Sequence, residues 1–548
     1  MCMKVTSPKI NLADRLWNGI QGDVNNFVAA VVPIIVPEPG LYTYRVKVGP
    51  DGELRIHLRI EPQGHGVLFV DVTDVIHLNP TATQMTKMAL DGVPLQRARA
   101  EMLLRHPSVS PAQLDTELTQ IYEMVEGFRQ FDSHCATCAI TDIADMSPLF
   151  SIDVNAPYKV DIALTYGCNN ECPHCYNEND RLEMPSLPLG EWHAVLDKVA
   201  ELGVPHVILT GGEATLHPDL PRIIEYGDNL GMIIGLNTNG RHIAHAGYMQ
   251  ELADAGLNHV QVTLGSCYAE IHDAMMGAKS FNQTIRGIEN AVDSRVHTIT
   301  NTTLMRSNMD HAEEIIDFIH DMGITTFAMN GMIYSGGGFA HPTAIAQEEM
   351  PPLLVRVRDH SEKLGMKFMW YTPTEYCMMS PVEIEIGAKR CNAGEYSLCI
   401  EPNGDVLPCQ SYYVSAGNIL HDPWEDIWQS ELFVSFRDRE DDPQGYGLPE
   451  KCWECPDLPL CGGGCRIERE ARDGIRVSEN GGGGCSGCSG SCATGHSASV
   501  VRNLNPTAGY VPEGGYSPHA SQVSTKRRST GDMSLITLDD IAINSEGE

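Results

Sequence analysis

The sequence carries little positive charge and no long hydrophobic run. Its 548 residues include 38 Lys and Arg against 72 Asp and Glu, a formal net charge of −34 at pH 7. A duplex-binding protein needs a basic patch that displaces counterions, so nucleic acid is not an expected partner. The longest apolar run, from Phe27 to Pro37, is far short of the roughly 20 residues of a membrane span, and no signal-peptide core precedes it. We therefore expect a cytoplasmic protein without a membrane segment.

Cysteine, by contrast, is abundant. The chain has 18, and in a protein without a secretion signal clustered cysteines indicate metal ligation or redox chemistry, with a disulfide framework as the alternative. Apolar residues make up 42% of the chain and charged residues 20%, which is enough to bury cores in two to four domains.

The first third of the chain divides into three parts. Residues 1–49 show no clear pattern, and residues 131–157 are predicted to be a linker. Between them, residues 50–130 begin with partly alternating apolar runs and continue with three helical patterns. These patterns predict a small α+β domain in which a sheet is followed by three helices.

Short apolar runs alternate with helical stretches over residues 158–375. The predicted strands are 158–165, 206–210, 232–237, 258–264, 296–303, 324–330 and 366–371. Helices are predicted at 189–202, 218–229, 247–255, 281–293, 310–321 and 344–364. This alternation predicts an α/β fold of parallel strands in a barrel or partial barrel, whose functional loops follow the C-terminal ends of the strands.

Regular patterns thin out over residues 387–492, where cysteine and glycine are frequent. This segment has too little apolar periodicity for a core of its own, so we expect metal to organise it. Residues 495–548 are rich in Ser, Thr, Asn, Gly and Pro and are predicted to be a disordered tail.

The most specific motif follows the first predicted barrel strand. Cys168, Cys172 and Cys175 form a C-x3-C-x2-C pattern, and three thiolates on one short loop can hold three irons of a cubane cluster. The fourth iron would lack a protein ligand and could chelate a substrate, as an open zinc position does. A structural zinc site is the alternative, but zinc prefers four ligands, and His174 lies between two of the cysteines.

Polar or glycine-rich segments follow the same end of the other predicted strands. The second strand ends in the turn Gly211-Gly212-Glu213, and later strands lead into LNTNG, VTLGSC, NTTLMRSN and MNGMIYSGGG. The glycines expose backbone groups and Glu213 adds a carboxylate. Because these segments share one end of the sheet with the cysteine loop, they predict a single binding site there.

Over residues 155–375 these motifs resemble the radical S-adenosylmethionine (SAM) superfamily. The resemblance implies a partial (β/α)6 barrel in which the three cysteines hold a [4Fe–4S] cluster and SAM chelates the open iron. Reductive cleavage of SAM would then give a 5′-deoxyadenosyl radical that abstracts a substrate hydrogen. By position, the implied SAM contacts are Gly211, Gly212 and Glu213 for the methionine amino group, His174 beside the adenine, and Thr263, Asn301 and Arg306 for ribose or carboxylate. For the last three, ordinary strand-end polar residues are the alternative.

The later cysteines resemble the SPASM extension of radical SAM enzymes, with the order C-x12-G-x4-C, then C-x2-C-x5-C-x3-C, then a further Cys. The resemblance implies two auxiliary [4Fe–4S] clusters, with two zinc-ribbon-like sites as the alternative. The first would be held by Cys391, Cys409 and Cys465, with Cys399 as fourth ligand. The second would be held by Cys452, Cys455 and Cys461, with Cys485 as fourth ligand or Cys488 or Cys492 in its place. Sulfatase-maturing members have an acidic base after the second of these cysteines; here Gln410 stands there, which argues against that activity.

The phrase DVIHLNPTATQMTKMALDG, within residues 50–130, resembles the peptide-recognition domain of ribosomal-peptide maturases of the pyrroloquinoline quinone type. That domain binds a leader peptide as an added strand at a sheet edge; an unrelated winged-helix-like scaffold is the alternative. His134, Cys135 and Cys138 form half a metal site, more simply interpreted as an exposed turn. Cys267 and Cys377 stand near strand ends, where they could face the site or be structural thiols.

Together these resemblances imply a cytoplasmic peptide maturase that installs a thioether or carbon–carbon cross-link in a precursor peptide. Its expected partners are that peptide with its leader, and an electron donor such as flavodoxin or ferredoxin. One alternative is a radical SAM enzyme acting on a small molecule such as a tetrapyrrole side chain. The other is a non-catalytic iron–sulfur electron-transfer or scaffold protein.

Overall fold

A computed structural model describes residues 37–48, 52–70, 74–128, 150, 152–294 and 296–477. The predicted tail lies outside these ranges, as do most of segment 1–49, most of the predicted linker, and His134, Cys135, Cys138, Cys485, Cys488 and Cys492. Within the described ranges, no helix has both the length and the apolar character needed to cross a bilayer.

The N-terminal part is an antiparallel sheet followed by three helices. The strands β1 (Gly40–Val48), β2 (Gly52–Ile60), β3 (Gly66–Val70) and β4 (Asp74–Leu78) pair in chain order. The helices are α1 (Pro80–Leu90), α2 (Leu95–Arg105) and α3 (Pro111–Gly127). The sheet begins earlier than predicted, because residues from Gly40 onward pair with β2 along its whole length.

Strand β2 explains how this sheet joins the rest of the molecule. Its alternate residues Ile56 and Leu58 are fully buried against the three helices, as the period of two in a strand requires. The intervening residues Arg55, His57 and Arg59 are also buried, although they point to the opposite face. That second face must therefore be covered by another part of the chain.

A nine-stranded sheet forms the centre of the molecule. Its order is β11-β10-β9-β8-β7-β6-β5-β12-β13, and all neighbours are parallel except the last pair. The strands are β5 (Lys159–Thr165), β6 (His206–Gly211), β7 (Ile233–Thr238), β8 (His259–Thr263), β9 (His297–Thr303), β10 (Thr326–Asn330), β11 (Lys367–Trp370), β12 (Ser397–Ile400) and β13 (Val406–Leu407). The predicted parallel α/β architecture is confirmed, and the two last strands were not predicted.

Helices connect these strands. They are α4 (Leu189–Glu201), α5 (Leu220–Asn229), α6 (Ala246–Asp254), α7 (Ala269–Met276), α8 (Phe281–Asp293), α9 (Ala312–Asp321) and α10 (Met350–Lys363). On α9 the buried residues are Ala312, Ile315, Ile316 and Ile319, the spacing of one helical face. Helix α7 was not predicted, and α10 begins later than predicted.

The C-terminal part contains four short helices, α11 (Trp424–Trp428), α12 (Glu431–Arg437), α13 (Leu458–Cys461) and α14 (Arg466–Arg472). We expected this segment to lack a core of its own and to depend on metal. The structure corrects that expectation in part, because Ile427, Trp428 and Phe433 are buried in the same apolar cluster as the barrel helices. Strand β12 further anchors the segment beside β5.

The buried polar face of the N-terminal sheet covers the base of the barrel, by which we mean the N-terminal ends of its parallel strands. Arg55 pairs with Asp228 of α5 at 2.6 Å, and His57 Nε2 lies 2.7 Å from the Gly231 carbonyl oxygen. Arg59 donates to the carbonyl oxygens of Pro157 at 2.7 Å and Gly203 at 3.2 Å. Cationic side chains at helix C-termini complement the helix dipole, so these contacts join the two parts at the end opposite the cysteine motif.

Candidate active site

The cysteine loop, residues 166–178, follows the C-terminal end of β5 and is packed against the turn that follows β6. A Cβ on Gly211 would overlap the Thr165 carbonyl oxygen, and one on Gly212 would overlap those of Tyr166 and Gly167. The Gly212 amide donates to Thr165 at 2.7 Å and the Glu213 amide to Gly167 at 2.9 Å. Only glycine permits this approach, so the turn lies directly beside Cys168.

Two further loops contact the cysteine loop through glycines. A Cβ on Gly277, just after α7, would overlap the Glu171 carbonyl oxygen, and the Cys172 thiol lies 3.5 Å from the Met276 carbonyl oxygen. After β10, Gly337 donates its amide to the Cys175 carbonyl oxygen at 2.7 Å. The sequence predicted loops at these strand ends, but it did not identify these contacts.

The loop after β7 holds the first turn of the cysteine loop by polar contacts. Asn239 Nδ2 donates to Asn169 Oδ1 at 2.6 Å. The Arg241 guanidinium donates to the Asn169 carbonyl oxygen and, at 2.9 Å, to Asn170 Oδ1. Asn239 and Arg241 were missed as functional residues; the only sequence signal was their place in and after LNTNG.

The three thiols of the cysteine loop are close enough to affect one another. Burial, followed by the charges of Cys175 and Cys168, raises the pKa of Cys172 to about 12. Burial also raises the pKa values of Cys168 and Cys175, with a further contribution at Cys168 from Glu213. Three thiolates on one short loop repel one another, so this set needs a cation or a cationic cluster to be stable as ligands.

Glu213 is almost fully buried, with 1% of its surface exposed, and protein donors surround its carboxylate. Oε1 accepts from the hydroxyls of Thr215 at 2.5 Å and Thr238 at 2.6 Å. Oε2 accepts from the Asn239 amide at 2.7 Å. The carboxylate therefore connects the β6 and β7 loops, and its geometry is that of a residue that positions both.

The other SAM-binding candidates differ in their surroundings. Burial, and then His341, lowers the pKa of His174 to about 4, and its Nδ1 has no partner within the described residues. Thr263 and Asn301 are aligned partners on β8 and β9, and the buried Asn301 Oδ1 also has no partner there. Arg306 instead pairs with Glu349 at 2.9 Å, with 46% of its side chain exposed. The structure thus brings Thr263 and Asn301 together and directs Arg306 to the surface.

A second group of thiols lies in the C-terminal part. Cys391, Cys409 and Cys465 pack around one apolar cluster that includes Tyr412 and Phe436. Burial and the charge of Cys391 raise the pKa of Cys409 to about 12, and the same two causes raise that of Cys465. The sequence-predicted trio is therefore together in space.

Cys399 has different neighbours. It is fully buried on β12 and packs with Ala163, Tyr166 and Tyr413. Burial raises the pKa of its thiol, with smaller contributions from the charges of Asp161, Glu401 and Cys409, and its assignment as a fourth ligand stays a prediction. Gln410, which stands where related enzymes have a base, has a buried Oε1 without a partner among the described residues.

A third group contains Cys452, Cys455 and Cys461. Cys452 is buried with Leu448 and Leu458, and Cys455 packs against them. Burial, then the charges of Glu375 and Cys461, raises the pKa of Cys452 to about 11. Glu375 belongs to the loop after β11, which the sequence did not connect with these cysteines.

Among the described residues, no three His, Cys, Asp or Glu side chains are arranged as a site for a single metal ion. The thiols do occur in three sets of three, on loops and short helices. Free thiols in this number and grouping are the donor set of iron–sulfur clusters, so the residues fit that cofactor chemically.

Two family sequence models match the chain. The model of the Radical SAM superfamily matches residues 162–319. That match begins in β5 and includes the cysteine loop and the Gly211-Gly212-Glu213 turn. The barrel of this chain therefore contains a radical SAM domain. A second model, SPASM, described as an iron–sulfur cluster-binding domain, matches residues 391–456.

Several curated relatives match more than half of the chain. The PqqA peptide cyclase of Streptomyces rochei is 27% identical over 325 residues, which are 58% of this chain and 86% of the relative. The subtilosin biosynthesis protein AlbA of Bacillus subtilis is 25% identical over 432 residues, 73% of this chain and 89% of AlbA. The AdoMet-dependent heme synthase of Methanosarcina barkeri is 27% identical over 354 residues, 59% of this chain and 95% of the synthase.

The fold also matches a solved structure. Streptococcus suis SuiB bound to S-adenosylmethionine has a TM-score of 0.57 at 18% identity, covering 75% of this chain and 95% of SuiB. The chain is thus a radical SAM enzyme with SAM and [4Fe–4S] clusters as cofactors. The predicted family, fold class and cofactor types are confirmed, and the non-catalytic alternative is not.

Proposed function

We propose that this radical SAM enzyme is a peptide maturase. It would abstract a hydrogen from a ribosomally made precursor peptide and install a thioether or carbon–carbon cross-link. The main structural support is the pairing of a barrel, whose cysteine loop lies at one end, with a separate small domain at its base. Within the described residues, β1 and β4 are the edge strands of that domain's sheet. Relatives named as a peptide cyclase and as a bacteriocin biosynthesis protein support the same class of substrate.

The chemistry at the barrel would divide between cofactor and protein. Once bound, the cluster and SAM supply the reductive cleavage that yields a 5′-deoxyadenosyl radical. In this assignment Cys168, Cys172 and Cys175 would ligate three irons, and the backbone at Gly211 and Gly212 would bind the methionine amino group. Glu213 holds that turn in place, which is a positioning role. His174, Thr263 and Asn301 then offer polar atoms to the rest of SAM, and Arg306 is left out.

The remaining cysteine sets would hold two auxiliary clusters, one by Cys391, Cys409 and Cys465 and one by Cys452, Cys455 and Cys461. A buried network joins the first of these regions to the cysteine loop: Tyr413 donates to Asn177 Oδ1 at 2.9 Å and Tyr166 donates to Glu401 at 2.8 Å. A donor such as flavodoxin or ferredoxin would supply the electrons.

The N-terminal domain would bind the leader of the precursor. Strand β1 is one edge of its sheet, and a groove of about 350 Å³ beside it is lined by Tyr44, Arg45, Val46, Lys47, Leu90 and Val125. An added strand gains backbone hydrogen bonds at such an edge. Because Arg45 and Lys47 line the groove, we expect acidic residues in the leader segment that binds there.

Co-expression with a candidate precursor peptide tests this function. We expect mass spectrometry to show the loss of two hydrogens from that peptide, and no loss with the Cys168→Ala variant. The double variant Arg45→Glu/Lys47→Glu should weaken leader binding at least tenfold in an anisotropy assay, while Arg99→Glu on α2 should not. Unmodified peptide in the presence of active cofactor would contradict the proposal.

The heme synthase relative favours a second candidate, a small-molecule substrate such as a tetrapyrrole. In that case the enzyme would modify the small molecule without any peptide, and the groove variants would have no effect on turnover. Incubation with a tetrapyrrole carboxylate, SAM and dithionite separates the two candidates.

A further inference from the structure

Glu178 is the last residue of the cysteine loop, and the proposed chemistry does not use it. Its surface is only 6% exposed, although the chain has no regular secondary structure at this position. A carboxylate removed from water costs free energy unless donors surround it. The donors that contact Glu178 therefore indicate what this side chain does.

The first donors belong to the loop after β10. Glu178 Oε1 accepts from the Gly336 amide at 2.9 Å and from the Ser335 hydroxyl at 3.3 Å. Gly336 has a φ of +53°, and a Cβ there would overlap the carbonyl oxygens of Cys175 and Asn177. The carboxylate thus fastens the loop after β10 against the backbone of Cys175, in a contact that only glycine permits.

The second donor comes from the C-terminal part. The Arg476 guanidinium lies 3.3 Å from Glu178 Oε2 and donates to the Gly336 carbonyl oxygen at 3.1 Å. It also lies 4.9 Å from the centre of the Phe339 ring, within the range of a cation–π contact. One cation therefore contacts both the cysteine loop and the loop after β10.

Helix α14 places Arg476 at this position. The helix begins directly after Cys465, and the turn that follows it contains Gly474, with a φ of +76°. Within α14, the buried Glu468 accepts from Gln347 Nε2 at 2.6 Å, which fixes the helix against the segment before α10. A short, fixed helix thus connects a proposed ligand of the first auxiliary cluster with Arg476.

We propose that Glu178 and Arg476 are positioning residues for the cofactor at the cysteine loop. Together they hold the backbone of Cys175 against the loop after β10, so the C-terminal part helps to set the geometry in which SAM binds. This inference rests on the proposed assignment of Cys175 as a ligand. Because a binding site depends on the contacts that support its ligands, loss of either residue should weaken SAM binding.

The test measures SAM binding without turnover. The full chain is reconstituted anaerobically and reduced with dithionite, and SAM is titrated while the EPR spectrum is recorded. Arg476→Gln should raise the Kd for SAM about fivefold, the size of one partly exposed ion pair. Glu178→Gln should raise it about tenfold, because it also weakens the bonds to the loop after β10. The double variant should be no worse than Glu178→Gln, since both residues act through one contact.

Arg476→Lys, which keeps the charge, should recover part of the affinity. In turnover assays, Arg476→Gln should raise the KM for SAM more than it lowers kcat. Arg356→Gln is the matched control, because Arg356 is similarly exposed, at 48%, and pairs with Glu313 at 2.7 Å away from both loops. It should leave the Kd unchanged.

A wild-type Kd in Arg476→Gln would overturn the inference, and so would effects of the two single variants that multiply in the double variant. A wild-type protein whose EPR spectrum does not respond to SAM would instead overturn the assignment of the cysteine loop itself. The two failures are therefore distinguishable.

Discussion

The two ends of the parallel sheet are built in different ways. At the C-terminal end, glycines and backbone amides from the loops after β6, β10 and helix α7 press directly on the cysteine loop. At the base, arginine and histidine side chains from a separate domain reach the Asp228 carboxylate and carbonyl oxygens, among them those of Gly203 and Gly231, which follow barrel helices. The first end is specified by close backbone packing, and the second by charge and hydrogen bonding.

This difference predicts how each end responds to substitution. A change at the cysteine end should impair cofactor binding first, because the loops have no space to adjust. A change at the base should impair stability first and leave the chemistry of the folded enzyme intact, because the base touches none of the proposed ligands. The following variants test that distinction, in order of decreasing effect.

Gly212→Ala should have the largest effect on catalysis. Its Cβ would overlap the carbonyl oxygens of Tyr166 and Gly167, so the cysteine loop must shift. We expect iron at the first cluster to fall and 5′-deoxyadenosine formation to drop at least about 100-fold, or roughly 3 kcal/mol in activation free energy. Gly190→Ala is the control, since a Cβ there meets nothing within 4 Å. Equal activity of the two variants would contradict the packing argument.

Arg59→Met should destabilise the protein by about 3–5 kcal/mol, because it leaves the Glu61 carboxylate buried without its partner. The Arg59–Glu61 pair, at 2.8 Å, is 3% and 1% exposed. Thermal unfolding should show the loss, and Arg59→Met/Glu61→Gln should recover part of it. The folded fraction should keep 5′-deoxyadenosine formation within twofold of wild type; a larger loss would mean that the base affects the chemistry.

His57→Gln should make the stability of the folded protein less sensitive to low pH. Burial, with smaller contributions from Arg55 and Arg45, lowers the pKa of His57 from 6.5 to about 4, against an opposing hydrogen bond from the ring to the Gly231 carbonyl oxygen. As the pH falls, His57 therefore binds a proton in the unfolded chain before it does so in the folded chain. The contribution of His57 to the free energy of unfolding is fully present above pH 6.5 and is lost as the pH falls toward 4. At pH 5 the free energy of unfolding is lower by about 2 kcal/mol for this reason.

Unfolding midpoints at pH 7.5 and pH 5 measure this effect. The difference between the two values should be smaller for His57→Gln than for wild type, whereas substitution of the exposed His421 should leave it unchanged. An identical pH dependence in all three proteins would show that His57 is not responsible.

Asn301→Ala and Arg306→Ala should give the smallest effects, and comparing the two variants tests which residue contacts SAM. Asn301 offers a buried acceptor without a protein partner among the described residues, so its loss should raise the KM for SAM about tenfold. Arg306 pairs with Glu349 at the surface, so its loss should change KM less than twofold. The reverse order would restore Arg306 as a SAM contact and remove Asn301.

Features that depend on local patterns could be predicted from the sequence, and features that depend on distant contacts could not. The cysteine motif, the Gly211-Gly212-Glu213 turn and the strand–helix alternation are local patterns, and all seven predicted barrel strands are present. Strand β12 was missed because its four residues follow a cysteine-rich stretch and gain their strand character only by pairing with β5, more than 200 residues earlier. Local periodicity carries no information about such a partner.

The contacts at the base were also missed, for a similar reason. Arg55, His57 and Arg59 alternate with apolar residues in β2, a pattern that normally indicates one solvent-facing side. Their partners, among them Asp228 and Gly231, are about 170 residues away. The contact between the loop after β11 and the third cysteine set, in which the Tyr376 amide donates to Cys461 Sγ at 3.3 Å, is likewise a long-range one. Distant contacts of this kind require coordinates.

The central claim is that three thiols on the loop after β5 hold a cluster with an iron open to SAM. The direct measurement is 5′-deoxyadenosine formation by anaerobically reconstituted protein with SAM and dithionite. We expect product from the wild type and none from Cys168→Ala/Cys172→Ala/Cys175→Ala, which should still hold its auxiliary iron. Product from that variant, or zinc in place of iron at the loop of the wild type, would contradict the account.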